Sequence, residues 1–318
     1  MARILVTGAT GFVGRNLVPA LVGAGHEVRC AVTRKVEYLQ AEQVLVDKLE
    51  HQTDWNGVLS EIDVVIHLAA RVHIMKEKSK SSLDEYCNVN SLATKNLAEQ
   101  AAKLQVKRFI FLSTIKVNGE STDEGLPFTE ESIAKPEDPY GQSKLNAEQY
   151  LHSISQNSDM QVVILRTPLI YGAGVKANFL KMLQLVDKGL PLPFGKIENK
   201  RSFIYIDNLV SAICTVIDAP RAANQLYLVA DDNSLSLTNL LQVIAKEMNV
   251  KLRLISIPAN LLMWLFKLLG MNGLRTRLLG SLEVSSNKIK SQLGWNPPVS
   301  SSEGLARTVK WYKYESNI

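Results

Sequence analysis

Residues 3–14, RILVTGATGFVG, constrain the fold more than any other stretch. A short apolar β-type run leads into glycines at 8, 11 and 14 and then into a helical pattern. Glycine lets the chain turn tightly, and it lets a pyrophosphate approach the backbone and the N-terminus of the following helix. A glycine turn that leaves a strand and opens a helix predicts a dinucleotide-binding β-α-β unit. The same glycines interrupt the first apolar run, so the N-terminus lacks a signal-peptide layout.

The rest of the first half repeats this grammar. ARILVTG, HEVRCAV, DVVIHLAA, KRFIFLST and MQVVILRT are rich in Val and Ile and read as strands buried on both faces of a parallel sheet. Helical stretches at 14–24, 91–104 and 141–155 separate them. Such alternation predicts an α/β fold, a Rossmann-type doubly wound parallel sheet. From about Leu169 the texture changes, with Gly and Pro clustered in IYGAGVKANF and KGLPLPFGK. The expected organisation is a nucleotide-binding domain over 1–168 and a smaller α/β substrate lobe over 169–318. RSFIYIDNL (201–209) and NQLYLVA (224–230) are expected to return to the sheet.

At 318 residues, 46% hydrophobic and 21% charged, the chain can bury a core without disulfides or metal staples. Cys30, Cys87 and Cys214 form no C-x-x-C pair, which favours a reducing, cytoplasmic setting. His67 and His73 make no metal-ligand set. The net charge of +5 has no dense basic block, so it favours an anionic small substrate over nucleic acid. LLMWLFKLLG (261–270) is too short to span a bilayer, which needs ~20 residues. It reads as a core or lid helix, or as an oligomer or membrane-surface helix.

Asp138–Lys144, DPYGQSK, places Tyr140 and Lys144 at i and i+4, on one face of a helix. An ammonium beside a phenol favours the phenolate. The pair is therefore a candidate proton-transfer group made from a side chain that ordinarily titrates near ~10.

With TGATGFVG, HLAA, LSTIKVNG, DPYGQSK and RSFIYIDNL in this order, the chain resembles the extended short-chain dehydrogenase/reductases, in the nucleotide-sugar epimerase/dehydratase branch. The resemblance covers about residues 2–300. It implies a catalytic hydroxyl at Thr114, proton transfer by Tyr140, a lowered tyrosine pKa and a nicotinamide-ribose contact from Lys144, and support from Asn90. For the cofactor it implies Gly8, Gly11, Phe12, Val13, Asp47 by the adenine, Leu68, Ala69, Ala70 and Pro168. Substrate contacts are expected from Asn178 and, at a diphosphate, from Arg201 and Arg277. Asp207 is expected to be structural, and Tyr171 to stack on a uracil or to pack.

NAD-users of this type carry an acid after the second strand. Here Val32 and Thr33 stand in its place, followed by Arg34 and Lys35, which would attract a 2′-phosphate. The cofactor is NAD(P), with NADP favoured by this loop. Leu169, in RTPLIYG, replaces the asparagine common in 4-epimerases, and Ile115 and Lys116 replace the acid pair of 4,6-dehydratases. The resemblance therefore implies a UDP-sugar 4-epimerase, or else an NADPH-dependent 4-ketoreductase of a UDP-4-keto-6-deoxy-N-acetylhexosamine. A non-catalytic NAD(P)-sensing protein is the reading from another class. Relatives often dimerise through the helices near 91–104 and 141–155, so a homodimer is expected.

Overall fold

The computed structural model describes residues 1–71, 85–268, 270 and 272–314, with the backbone alone at 272–274. Seven described strands form one parallel sheet. They are β1 (Arg3–Thr7), β2 (Glu27–Val32), β3 (Glu42–Leu45), β4 (Val64–His67), β5 (Arg108–Thr114), β6 (Gln161–Thr167) and β9 (Gln225–Leu228). Their order is β3-β2-β1-β4-β5-β6-β9. The direction of winding reverses between β1 and β4, and ligands of doubly wound sheets bind in the crevice at the carboxyl ends of the strands beside such a switch.

The helices follow the chain as α1 (Phe12–Gly23), α2 (Asn56–Leu59), α3 (Ala93–Lys103), α4 (Pro139–Gln156) and α5 (Ala177–Asp187). Beyond them come α6 (Ile206–Asp218), α7 (Leu237–Met248), α8 (Ala259–Leu268), α9 (Asn272–Leu279), α10 (Asn287–Leu293) and α11 (Ser301–Tyr314). The sheet separates two apolar layers. Ile4, Val6, Val64 and Ile66 pack toward α1 and α6, whereas Leu5, Val65, Phe109 and Phe111 pack with Leu97 of α3 and Leu151 of α4. Alternation along each strand produces both layers. It is also why these strands read as unbroken apolar runs.

Of the two segments expected to rejoin the sheet, Gln225–Leu228 does, in parallel register with β6. Residues 201–209 do not. Phe203–Tyr205 (β8) pairs with Leu169–Tyr171 (β7) in a separate two-stranded sheet. From Ile206 the chain is helical, because Ile206, Leu209, Val210, Ile213, Val216 and Ile217 recur at helical spacing and all are buried. Among the described residues, no helix is long and apolar enough to cross a membrane.

Candidate active site

Gly8 adopts φ +72°, and a Cβ there would lie 2.7 Å from the Ala69 backbone nitrogen. A Cβ on Gly14 would lie 2.3 Å from the Gly8 carbonyl oxygen. The turn between β1 and α1 is thus packed to a closeness that only glycine allows. Gly11 caps α1 without a side-chain acceptor, and the first turn carries no acid. The amide groups of Phe12 and Val13 open a helix whose positive end faces the crevice, which suits a phosphate. This backbone cradle fits the pyrophosphate of a dinucleotide.

The opposite wall is the end of β4. The Leu68 amide donates to the Thr7 carbonyl (3.2 Å) and the Ala69 amide to Thr7 Oγ1 (3.3 Å). His67 is bound on both ring nitrogens, by Thr7 Oγ1 at 2.7 Å and Thr94 Oγ1 at 2.9 Å. Thr94 donates its own proton to the Asn90 carbonyl (2.7 Å), so it accepts from Nε2–H and Thr7 donates to Nδ1. Burial, then the charge of Lys144, push the imidazole down to about 3. His67 is a neutral tether between strand and helix. His73 lies outside the described residues.

Ala70 continues this wall, and Pro168 is buried between β6 and β7. Asp47 is exposed just beyond β3. Thr33, Arg34 and Lys35 are exposed after β2, and the Arg15 guanidinium lies 4.6 Å from the Tyr38 ring centroid.

The helix that carries the tyrosine begins where its sequence says it should. Asp138 Oδ1 accepts from the Gly141 amide at 2.7 Å and Pro139 occupies the first turn, a favoured N-terminus. Lys116 locks this cap. Its ammonium pairs with Asp138 and, at 2.6 Å, with Glu120. A Cβ on Gly141 would lie 2.8 Å from the Lys116 carbonyl oxygen, so the start of α4 rests directly on the turn that follows Thr114. Thr114 ends β5 in extended conformation and caps that turn.

Tyr140 is half-buried, edge-on to Tyr86 at 6.3 Å between centroids. Lys144 is 2% exposed, its ammonium 3.7 Å from the Phe111 ring centroid. Burial pushes Lys144 down to about 7 against the opposing pull of Glu148. The Tyr140 phenol is pushed up, first by burial, then by Asp138 and Tyr86. In this geometry burial outweighs any help that the phenol draws from Lys144. Desolvation dominates both groups, and the ammonium faces an aromatic ring.

Asn90 lies in a π-type turn, Cys87–Leu92, the kind of helix irregularity often found at functional sites. Its Oδ1 accepts from the Arg71 amide (2.8 Å) and its Nδ2 donates to the Arg71 carbonyl and to Ser143 Oγ, both at 3.0 Å. It thus holds the chain after β4 against the face of α4 between Tyr140 and Lys144.

A buried network missed in the sequence lies beneath them. Ser113 donates to Glu148, Arg166 grips the same carboxylate with Nε (3.0 Å) and Nη2 (2.5 Å), and Arg166 Nη1 donates to Asn118 Oδ1 (2.9 Å). Strands β5 and β6 are thereby fastened to α4.

Arg201 donates through Nη1 to the carbonyls of Gly280 (2.8 Å) and Thr276 (3.3 Å). Burial, with the charge of Arg277, brings it down to about 10 against the pull of Glu120. Arg201 is thereby tied to the turn of chain that leads into the half-buried Arg277. Asn178 is exposed at the start of α5. The stacking role for Tyr171 is corrected. It is 1% exposed, donates to Asp231 Oδ2 at 3.0 Å and stacks on Phe179 at 5.3 Å. Asp207 pairs with Arg307 at the surface (3.3 Å), a structural position.

A glycine cradle at the switch point, with Thr114 at the end of β5 and Tyr140 and Lys144 on the helix that rests on the turn after it, defines a Rossmann-type enzyme of the short-chain dehydrogenase/reductase class. Residues 4–230 match the model of the NAD dependent epimerase/dehydratase family. The chain is 42% identical over 316 residues to a UDP-glucose 4-epimerase of Vibrio cholerae, covering 99% of this chain and 96% of that one. Among solved structures, it superposes with a TM-score of 0.78 on UDP-glucuronic acid 4-epimerase from Bacillus cereus in complex with NAD, at 23% identity. The same score relates it to UDP-glucose 4-epimerase from Thermotoga maritima with UDP-glucose, at 24% identity. Each comparison covers 98% of both chains. The chain belongs to the NAD dependent epimerase/dehydratase family.

Proposed function

We propose that this protein is a UDP-sugar 4-epimerase, inverting C4 of a UDP-hexose. One observation carries the reading beyond family membership. Glu120 pairs with Lys116, which locks the cap of the tyrosine helix, and its charge also acts on Arg201, as does that of Arg277. This supports a reading in which the proton-transfer and diphosphate-binding ends of the crevice meet near Glu120. Two guanidiniums suit two phosphates.

The nicotinamide cofactor supplies the hydride acceptor and donor at C4. Tyr140 removes and returns the proton on the C4 oxygen, and Thr114 hydrogen-bonds that oxygen. Lys144 holds the ribose of the cofactor. Asn90 keeps the tyrosine helix in place. Gly8, Gly11, Phe12 and Val13 take the pyrophosphate, with Leu68, Ala69, Ala70 and Pro168 as the walls of the crevice and Asp47 by the adenine. Asn178, Arg201 and Arg277 hold the UDP.

Incubation with UDP-glucose and UDP-N-acetylglucosamine, followed by proton NMR of the sugar ring, is expected to show C4 inversion at no cost in added cofactor. Absence of inversion with either sugar and their C4 epimers would overturn the reading.

The exposed cations Arg34 and Lys35 favour a second reading, a 4-ketoreductase of a UDP-4-keto-6-deoxy-N-acetylhexosamine that uses NADPH once per turnover. Mass spectrometry of nucleotide released on denaturation separates the two. Tightly held NAD supports the epimerase, and an empty protein that takes up NADPH supports the reductase. A homodimer through α3 and α4, which pack side by side, belongs to the same proposal and is checked by sedimentation.

A further inference from the structure

Helix α8 carries two apolar stripes. Ala259, Leu262 and Phe266 turn inward, and Leu262 is 2% exposed. On the other side Leu261, Trp264, Leu265 and Leu268 recur at i, i+3, i+4 and i+7, one continuous face. Their exposures are 53%, 59%, 40% and 67%. A soluble surface helix ordinarily presents charged or polar residues there. Clustered exposed apolar side chains of this size mark a contact surface.

The charge of the surrounding chain indicates the occupant. Between Glu247 and Glu283 the sequence contains no acid, yet it contains Lys251, Arg253, Lys267, Arg275 and Arg277. The protein's formal net charge is +5, so this one segment holds a cationic excess equal to the whole. Lys251, Arg253 and Lys267 are exposed. A second copy seated on this face by two-fold symmetry would set cations against cations, which complementary interfaces avoid. A surface that combines buried hydrocarbon with a dense negative charge suits both features.

We propose that α8 docks this enzyme on an anionic lipid bilayer, lying in the interface plane with Leu261, Trp264, Leu265 and Leu268 among the headgroups and acyl ends. At Ala259–Leu268 the helix is far short of the ~20 residues needed to span. Helices of this type bind through buried apolar area plus attraction of Lys and Arg to anionic lipid. Leu262 and Phe266 tie the helix to the core, so the enzyme would be held at the surface with its fold intact.

The test is co-sedimentation of the full chain with vesicles of phosphatidylcholine alone and of phosphatidylcholine mixed with phosphatidylglycerol. Binding is expected to the mixed vesicles and to be at least ~10-fold weaker to the neutral ones. Trp264→Ser with Leu268→Ser should abolish binding, and Lys267→Ala should weaken it by roughly fivefold, the effect of one cation near such a surface. These side chains point outward, so thermal unfolding of the variants should match the parent. Equal binding to both vesicles, no binding to either, or binding that survives the double substitution would overturn the proposal. So would a self-association that the same double substitution removes, which would assign the face to a second copy.

Discussion

Arg201 donates to the carbonyl of Thr276, the residue before Arg277, and burial first, aided by the charge of Arg277, draws its pKa down against the pull of Glu120. Two cations that act on each other in a half-buried place are costly until an anion arrives. Replacing either arginine by alanine should therefore weaken UDP binding by ~10- to 100-fold, the value of a charge-assisted hydrogen bond of ~1.5–3 kcal/mol. Calorimetric titration with UDP checks it. Unchanged UDP affinity in both variants would remove the diphosphate assignment.

Tyr140→Phe keeps the ring against Tyr86 and removes the proton carrier. A positioned acid-base group contributes typically ~10²- to 10⁴-fold. The expected result is a fall in kcat of that order with cofactor affinity little changed. Turnover near the parent rate would assign proton transfer elsewhere.

Two glycines with similar backbones separate cofactor binding from stability. Gly8 (φ +72°) touches Ala69, whereas Gly25 (φ +83°) has open space around its missing Cβ. Gly25→Ala should cost only the left-handed strain, ~1–2 kcal/mol in urea unfolding, and leave nucleotide binding intact. Gly8→Ala adds a backbone collision within the cradle and should abolish NAD binding in a fluorescence titration.

The strands of the large sheet were legible where both faces are buried, because Val64–His67 and their neighbours then read as apolar runs. Glu42–Leu45 was not. It is four residues long, lies at the sheet edge and exposes both its end positions, Glu42 and Leu45. Ile204, Tyr205 and Ile206 look alike in a strand or in the first turn of a helix, and the spacing downstream to Ile217 decides between them. Among site residues, Asp138 and Pro139 announce the helix that carries Tyr140. The ion pairs that hold it leave no local trace. Lys116 meets Asp138 across 22 positions and Glu148 meets Arg166 across 18, and nothing in either neighbourhood names its partner. Tyr171 stayed open between stacking and packing because an aromatic side chain near the crevice reads the same whether its hydroxyl meets a ligand or a buried aspartate, and it packs.

Glu148 and Arg166 are 5% and 6% exposed. Removing one partner of such a pair leaves an uncompensated buried charge, typically ~3–5 kcal/mol. Glu148→Leu or Arg166→Met alone should show a loss of that order in urea unfolding. The double variant should recover much of it, because two apolar groups of similar volume replace both charges. A double variant as unstable as the sum of the singles would mean that the pair does not act as a unit.

Lys144 makes stability depend on pH in a direction opposite to that of a surface lysine. Its folded-state pKa is about 7, below the unfolded value near ~10.4, because burial disfavours the ammonium. Between those two values the unfolded chain binds more protons than the folded one, so ΔG of unfolding gains a positive slope with pH. Below about pH 7 both states hold the proton and the folded state bears the full cost of a buried cation. That cost is relieved as pH rises from about 7 toward ~10.4. Lys144→Met removes the group from both states. Relative to the parent, the variant should be most stabilised at pH 6, and the difference should shrink steadily up to pH 10. Urea unfolding of both chains at pH 6, 8 and 10 measures it, and a difference that does not vary with pH would show that Lys144 stays charged in the folded chain.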